Sequence, residues 1–199
     1  MDYLTKIAVF ITAIVLFGCS KNQTEQGDEF FHSGQYDKAI SAYTDYIQEH
    51  PKDGETFYNR GRAYEEQGQL EEAYEDFKQA AQINPNETSY FMGMGMINFK
   101  LKKYDAVVSN MQSVLNLKNN HAEAYFIMGR AHYQKGEFRP ALENFNNAIR
   151  YNKNLGGAYL YRGVINIQAK KQEKGCADLQ KALNLGEKNA NDAIQKYCK

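Results

Sequence analysis

The chain has no tryptophan and only three prolines among its 199 residues. Proline breaks helix interiors, so its scarcity leaves room for uninterrupted helices. The aromatic content lies in 15 tyrosines and 11 phenylalanines, and the composition, 43% hydrophobic and 24% charged, is that of a soluble globular protein. These features predict helices packed on aromatic side chains.

An excess of charge of either sign is also missing, because 24 basic side chains balance 24 acidic ones. A general nucleic-acid binder needs a clustered basic footprint, so this class is excluded. The balance hides a gradient: residues 19–87 hold 15 acidic and 6 basic side chains, and residues 88–199 hold 8 and 17. Either surface charge drifts along the chain, or the basic half meets an acidic partner by a salt-sensitive attraction.

Catalytic and metal-binding motifs are absent from the sequence. The four histidines have no second ligand at helical metal-binding spacing, and no nucleophile elbow or phosphate-binding glycine loop stands in a suitable context. The histidines are His32, His50, His121 and His132. We therefore expect no enzyme activity, no cofactor and no metal.

The sequence contains no hydrophobic run of the roughly 20 residues that a bilayer span needs. Residues 7–18 form a shorter apolar run after Lys6, which fits a secretory signal. The run closes on LFGC and resembles the lipobox of bacterial lipoproteins, with Cys19 as the lipid-bearing residue. This resemblance implies a signal peptide at residues 1–18 and acylation, including palmitate, on Cys19. Ser20 favours an outer-membrane lipoprotein that faces the periplasm, and a plain signal peptide with a chance cysteine is the alternative.

A 34-residue period runs through the rest of the chain. Glycine recurs at Gly27, Gly61, Gly95, Gly129 and Gly163, and small or aromatic residues recur with it. Counting units from residue 20, position 20 is small, and position 24 holds Tyr43, Phe77, Met111, Phe145 and Leu179. Positions 4 and 27 complete the apolar set that we expect in a shared core.

This pattern resembles the tetratricopeptide repeat (TPR). The resemblance implies an all-α fold, a right-handed α-solenoid of about five helix-turn-helix units plus a C-terminal capping helix. The units are residues 20–53, 54–87, 88–121, 122–155 and 156–189, in an array at 19–187 with the capping helix at 188–199. Gly34, Gly68 and Gly136 stand at the turn between helices A and B, where Lys102 and Lys170 replace glycine in the third and fifth units.

Two cysteines remain after Cys19, and the register places both near the C-terminal cap. Cys176 lies on the face that the capping helix covers, and Cys198 lies on that helix. In an oxidising periplasm we hypothesise a disulfide between them, worth about 3 kcal/mol for a loop of about 22 residues. Two free buried thiols are the alternative.

In the TPR family, fixed positions on each helix A line the concave wall that binds partners. Carried onto this chain, they predict a partner-binding groove whose residues are often large and apolar, as interaction sites are. The residues are Tyr58, Arg62, Met92, Met96, Phe99, Phe126, Arg130, Tyr133, Leu160, Val164 and Ile167. In FMGMGMINF, we interpret Gly93 as a residue without a core role that leaves a notch beside Met92. Covering of these residues by superhelical curvature or a neighbouring chain is the alternative.

The leading hypothesis is a membrane-anchored TPR adaptor or scaffold that binds a protein or peptide in this groove, within a cell-envelope assembly. Lys and Asn are missing from the positions of the family's chaperone-tail clamp, so recognition of an acidic chaperone terminus is not predicted. Two alternatives stay open: a module that binds an anionic glycan or other small ligand, and a structural protein that self-associates through its opposite charges.

Overall fold

The computed structural model describes residues 24–198, and all regular elements within these bounds are α-helices. The predicted all-α TPR fold is confirmed. The signal peptide and the lipidation site Cys19 lie outside the described residues. In chain order the helices are α1 at 24–32, α2 at Tyr36–Glu49, α3 at Gly54–Glu66, α4 at Leu70–Ile83, α5 at Thr88–Lys100, α6 at Tyr104–Leu117, α7 at Ala122–Gln134, α8 at Phe138–Tyr151, α9 at Gly156–Gln168, α10 at Gln172–Asn184 and α11 at Ala190–Tyr197.

By its internal contacts the chain divides into two compact units. Their described parts are residues 24–97, here unit 1, and residues 98–198, here unit 2, and the division falls inside α5. The odd-numbered helices α1 to α9 are the A helices of the repeats, and the even-numbered helices are the B helices. Helix α3 packs on α4 in unit 1, and α7 on α8 and α9 on α10 in unit 2.

The turn between helices A and B requires a left-handed backbone at one residue. Gly68 and Gly136 adopt φ of 76° there, which costs glycine nothing because it has no Cβ. Lys102 and Lys170 adopt the same conformation with φ of 58° and 59°. The turn is therefore kept in the two units that lack its glycine.

The core of each repeat is built around the side chain at position 24 of helix B. Phe77 of unit 1 and Phe145 of unit 2 keep 1% exposure or less. A Cβ on Gly61 would lie 2.9 Å from the Phe77 ring, and one on Gly129 would lie 2.7 Å from the Phe145 ring. The 34-residue glycine period thus reflects the close approach of each helix A to the large side chain of its helix B.

Two predicted core rows are less buried than expected. At position 4, Phe57 and Tyr159 are half-buried, and each ring lies beside an arginine guanidinium, that of Arg60 and that of Arg162 respectively. At position 27, Tyr46 is half-buried and stacks on the His50 ring, with 4.2 Å between centroids. Alanine or valine fills that position in the other four units and is fully buried.

Each of two repeats contains a half-buried arginine with a full set of partners. Arg60 donates two hydrogen bonds of 2.8 Å to the Asp76 carboxylate and one of 3.0 Å to Thr44 Oγ1 of the preceding helix B. Burial raises the pKa of Asp76, although Arg60 opposes the effect, and the hydrogen bond to Asp76 raises the pKa of Arg60. Arg162 bonds in the same way to Asp178 and to Asn146. Each arginine therefore fastens three helices together.

The C-terminal helix α11 packs on α10 and α9, in the position predicted for a capping helix. Ala190 is its buried residue, and a disulfide joins Cys198, directly after the helix, to Cys176 on α10. The bridge ties the end of a short helix to the last repeat.

Candidate partner-binding surface

The predicted groove residues lie on four A helices and are shared between the two units. Seven of them belong to unit 2 and four to unit 1, and all are half-buried except Arg62, which is exposed. The unit 1 residues are Tyr58, Arg62, Met92 and Met96. The unit 2 residues are Phe99, Phe126, Arg130, Tyr133, Leu160, Val164 and Ile167.

In unit 1, part of the predicted surface belongs to the core. The Tyr58 ring lies 5.4 Å from Phe77 and 5.3 Å from Tyr90, centroid to centroid. Arg62 lies over the ring of Phe31 at 4.9 Å. It also lines a cavity of about 200 Å³ with Asp28, whose carboxylate accepts a hydrogen bond of 2.6 Å from the Tyr43 hydroxyl. Burial and this bond raise the pKa of Tyr43, so the hydroxyl stays protonated.

The interpretation of Gly93 is wrong. A Cβ on Gly93 would lie 2.8 Å from the side chain of Phe77, so the glycine is needed for close packing between α5 and α4. Phe77 is thus held between Gly61 of its own repeat and Gly93 of the next. The bare Cα forms a seat for the Phe77 ring and leaves no notch for a partner.

In unit 2 the structure brings the predicted residues of α5 and α7 together around one arginine. The guanidinium carbon of Arg130 lies 4.4 Å from the ring centroid of Phe99 and 5.6 Å from that of Phe126. It also lies 5.9 Å from the ring of Tyr161 on α9, which in turn contacts the Tyr133 ring at 5.2 Å. We call these five residues the Arg130 surface: Phe99, Phe126, Arg130, Tyr133 and Tyr161.

Arg130 has no hydrogen-bond partner among the residues that the structure describes. Its Nε atom is buried, and it is the one buried side-chain nitrogen or oxygen in this part of the chain without a hydrogen bond. Such atoms are uncommon in folded proteins and call for a physical explanation. The aromatic rings stabilise the faces of the guanidinium by cation–π interaction, but they leave its N–H groups unpaired.

The rest of the Arg130 surface is held rigidly by packing. A Cβ on Gly157 would lie 2.7 Å from the Phe126 ring, so α9 closes tightly onto that side chain. The Tyr161 ring stacks on the buried Phe145 at 5.5 Å with an interplanar angle of 18°. The aromatic rings beside Arg130 are thus fixed before any partner arrives.

The last predicted residues lie apart, near the C-terminal cap. Val164 and Ile167 line a cleft of about 520 Å³ with Tyr197, which is 41% exposed. The disulfide between Cys176 and Cys198 holds the α11 wall of this cleft. The structure therefore assigns six of the seven predicted unit 2 residues to two places, the Arg130 surface and the cap cleft, and Leu160 belongs to neither.

Tyr161 was missed in the sequence because position 6 of the repeat is not among the family's groove positions. The sizes of the residues at positions 24 and 6 of successive repeats could have indicated it. The position 24 ring of one repeat contacts position 6 of the next, where Phe77 meets Gly93 and Phe145 meets Tyr161. The residue at position 6 differs in size between repeats, from Gly93 to Tyr161, and so decides whether a ring stands beside the groove.

Within residues 24–198, no group of three or more histidine, cysteine or acidic side chains is arranged to hold a metal ion. Among the described helices, none is both long enough and apolar enough to cross a membrane.

The paired helices, in which an aromatic ring of helix B packs against a glycine of helix A, define an all-α repeat protein. Models of the tetratricopeptide repeat match residues 21–53, 54–87 and 122–155, together about half of the sequence. The chain belongs to the tetratricopeptide repeat family. Protein-interaction scaffolds are the usual members of this class. The comparison with curated proteins gives no match.

Several solved structures share the fold. A crystal structure of MamA is 25% identical, covers 83% of this chain and 96% of its own, and has a TM-score of 0.75. MamA from Desulfovibrio magneticus RS-1 is 17% identical, covers 83% and 94%, and has a TM-score of 0.76. YrrB, described as a TPR protein with an unusual peptide-binding site, is 19% identical, covers 87% and 90%, and has a TM-score of 0.72.

Proposed function

We propose that this protein is a membrane-anchored adaptor that binds a protein or peptide partner on its A helices, within a cell-envelope assembly. The Arg130 surface is the observation that carries the proposal. It combines half-buried, closely packed rings with an arginine that has no hydrogen-bond partner among the described residues. Interfaces are enriched in these residue types, and arginine and aromatic side chains supply most binding hot spots. The peptide-binding site named for YrrB agrees with this use of the fold.

The membrane anchor rests on the sequence at Cys19. Lipidation there would leave almost no linker before the first repeat, so the array would begin at the bilayer surface. We expect Cys19→Ala to move the protein from the membrane fraction to the soluble fraction of the cell. Retention of this variant in membranes would contradict the anchor and leave the partner-binding proposal standing.

Partner binding is tested by capture from intact cells. The full-length protein is crosslinked in the cell, purified and analysed by mass spectrometry, with Tyr133→Glu as the variant of the Arg130 surface. Ala177→Glu, at an exposed residue of α10, serves as the control with the same charge change. We expect Tyr133→Glu to reduce capture of a specific partner and Ala177→Glu to leave it unchanged, with equal helicity by circular dichroism. Equal capture by both variants would contradict the proposal for this surface.

Self-association is a second candidate function, supported by the charge gradient. The described part of unit 1 has 15 acidic and 5 basic side chains, and that of unit 2 has 8 and 16. Opposite charges on two copies would attract each other most strongly at low salt. Sedimentation at low and high ionic strength tests this candidate, and a monomer at both salt concentrations would exclude it.

A further inference from the structure

The cap cleft is a cavity that the Arg130 surface does not include. It has a volume of about 520 Å³, and its lining residues come from α9, α10, α11 and the turn between α9 and α10. Helix α11 has eight residues against thirteen in α9, so it covers only part of that helix. Pockets for small molecules commonly have volumes of about 300–1,000 Å³. The cap cleft therefore has the size of a small-molecule site.

The α11 wall of the cleft is tied to α10 at its C-terminal end. The disulfide joins Cys198 to Cys176, and the side-chain amide of Gln172 donates a hydrogen bond to the backbone carbonyl of Tyr197. Both ties lie beside the Tyr197 side chain, which lines the cleft. The wall is thus in place before a ligand arrives, and preorganisation of this kind lowers the entropy cost of binding.

Apolar side chains make up most of the lining, and one cation lies at its end. The apolar lining residues are Val164, Ile167, Leu179, Ala193 and Tyr197. Lys170 is the one charged residue among the described lining residues, and none of them is acidic. Its ammonium group has no ion-pair partner in the part of the chain that the structure describes. A ligand with an apolar body and an anionic head complements this lining.

The polar lining is too sparse for a polypeptide. A peptide in the cleft would bury backbone N–H and C=O groups, which are costly to leave without hydrogen bonds. Besides Lys170, only Gln168 and Gln172 offer polar side chains there, and Gln172 is already bonded to Tyr197. An aliphatic chain has no such groups and loses nothing against the apolar lining.

The spacing of the lining residues limits the length of that chain. Val164 and Lys170 are separated by six residues, which is about 9 Å at the helical rise and matches an extended chain of roughly eight carbon atoms. We propose that the cap cleft binds a medium-chain fatty acid, whose chain packs on Ile167 and Leu179 and whose carboxylate pairs with the Lys170 ammonium. This site shares no residue with the Arg130 surface, so its failure would leave the adaptor proposal standing.

The test uses photoaffinity labelling of the full-length protein in lipid nanodiscs. One probe is octanoate with a diazirine near the end of its chain, and the other is octanol with the same diazirine. Mass spectrometry identifies the labelled peptides, and titration gives the concentration for half-maximal labelling. We expect octanoate to label peptides that contain Val164, Ile167 or Tyr197. Its half-maximal concentration should be at least about threefold below that of octanol, because only octanoate makes a charge-assisted contact.

A pair of lysine variants tests the role of the cation. Lys170→Gln should raise the half-maximal concentration of octanoate at least about threefold, to the value for octanol. Lys102→Gln is the matched control, because Lys102 has the same left-handed backbone in the turn of another repeat and does not line the cleft. It should change the octanoate value less than about twofold.

A pair of alanine variants tests the cavity itself. Ala193→Leu places a larger side chain in the cleft and should reduce labelling by both probes at least about fivefold. Ala177→Leu makes the same change at an exposed residue of α10 outside the cleft and should leave labelling unchanged. Melting followed by circular dichroism checks that all four variants fold as the wild type does.

Three results would overturn the inference. The first is labelling that is absent or spread over the surface instead of confined to the cleft peptides. The second is an equal half-maximal concentration for the two probes, which would mark the cleft as a site for an uncharged apolar group, such as a side chain of a partner. The third is an equal effect of the two variants within either pair, the lysine pair or the alanine pair.

Discussion

At the residue scale, two lysines adopt a backbone conformation that the other repeats assign to glycine. A left-handed conformation costs a residue with a Cβ about 1–2 kcal/mol, and glycine loses about 0.5–1 kcal/mol of chain entropy on folding. The first cost exceeds the second. Lys102 and Lys170, at φ of 58° and 59°, are therefore local sites of strain.

We predict that Lys170→Gly stabilises the protein by about 0.5–1 kcal/mol, since it removes the left-handed penalty at the cost of glycine's chain entropy. Urea unfolding followed by circular dichroism measures the change. Lys181→Gly is the control, because Lys181 lies within α10 and glycine in a helix costs about 1 kcal/mol there. A lower unfolding midpoint for Lys170→Gly would contradict the interpretation of this turn.

At Gly93 we expect a substitution to change stability in the opposite direction, by lowering it. In a free helix position Gly→Ala stabilises by about 1 kcal/mol, but here the new Cβ would lie 2.8 Å from Phe77. We predict that Gly93→Ala destabilises by about 1–3 kcal/mol through overpacking.

The double variant Gly93→Ala with Phe77→Leu checks this reason in the same urea assay. Leucine is smaller than phenylalanine and leaves room for the added methyl group. The Gly93→Ala substitution should therefore cost less stability in the Phe77→Leu background than in the wild type. If Gly93→Ala alone raises the midpoint, the packing of α5 on α4 is not as described.

At the scale of elements, helices A and B of different repeats carry different side-chain pairs at the same two positions. The fifth repeat uses Arg162 and Asp178, and the equivalent positions of the fourth hold the buried Met128 and Asn144. In each set the first residue lies on helix A and the second on helix B. The pair in the fifth repeat is charged, so Arg162 needs the Asp178 carboxylate, whereas the pair in the fourth repeat carries no charge.

We predict that Asp178→Asn destabilises unit 2 by about 1–3 kcal/mol, since Arg162 loses its anion while half-buried. Removing one partner of a fully buried ion pair costs about 3–5 kcal/mol. The loss here should be smaller, because the Arg162 side chain keeps 23% exposure. The double variant Arg162→Met with Asp178→Asn copies the fourth repeat and should recover most of the loss. A double variant no more stable than Asp178→Asn would show that the two sets are not interchangeable.

We expect helix α11 to depend on its disulfide. It has eight residues, too few for independent stability, and Ala190 is its one buried residue in the structure. We predict that Cys176→Ser with Cys198→Ser lowers stability by about 3 kcal/mol, following the loop of 22 residues that the bridge closes.

Amide hydrogen exchange locates that effect. In the double serine variant the amides of α11 should exchange faster, while those of α7 and α8 should keep their protection. Unchanged protection of α11 would mean that packing alone holds it. A mass shift on alkylation of the unreduced wild type would show that the bridge is not formed.

At the scale of the whole molecule, the sequence was sufficient for the fold but only partly for the site. The 34-residue period exposed the repeats because each one must seat a large position 24 side chain against a glycine, as Phe145 does against Gly129. The same periodicity does not show which residues of the A helices touch one another. That Arg130 would meet Phe99 and Tyr161, and that Gly93 would serve Phe77, depends on contacts between helices of neighbouring repeats.

The charge distribution also belongs to the whole molecule. Unit 1 is acidic and unit 2 basic, and the proposed lipid on Cys19 would hold the acidic unit next to the membrane. The basic unit carries the Arg130 surface, where an acidic partner would be attracted before it binds. Raised salt should therefore slow association more than it speeds dissociation.

The central claim is that a partner protein lies on the Arg130 surface in the cell. The most direct measurement places a photocrosslinking amino acid at Tyr133, a residue of the Arg130 surface, or at Glu143, an exposed residue of α8, in the full-length protein. The account predicts a specific crosslinked protein at position 133 and none at position 143. The same crosslinked protein at both positions, or at position 143 alone, would contradict it.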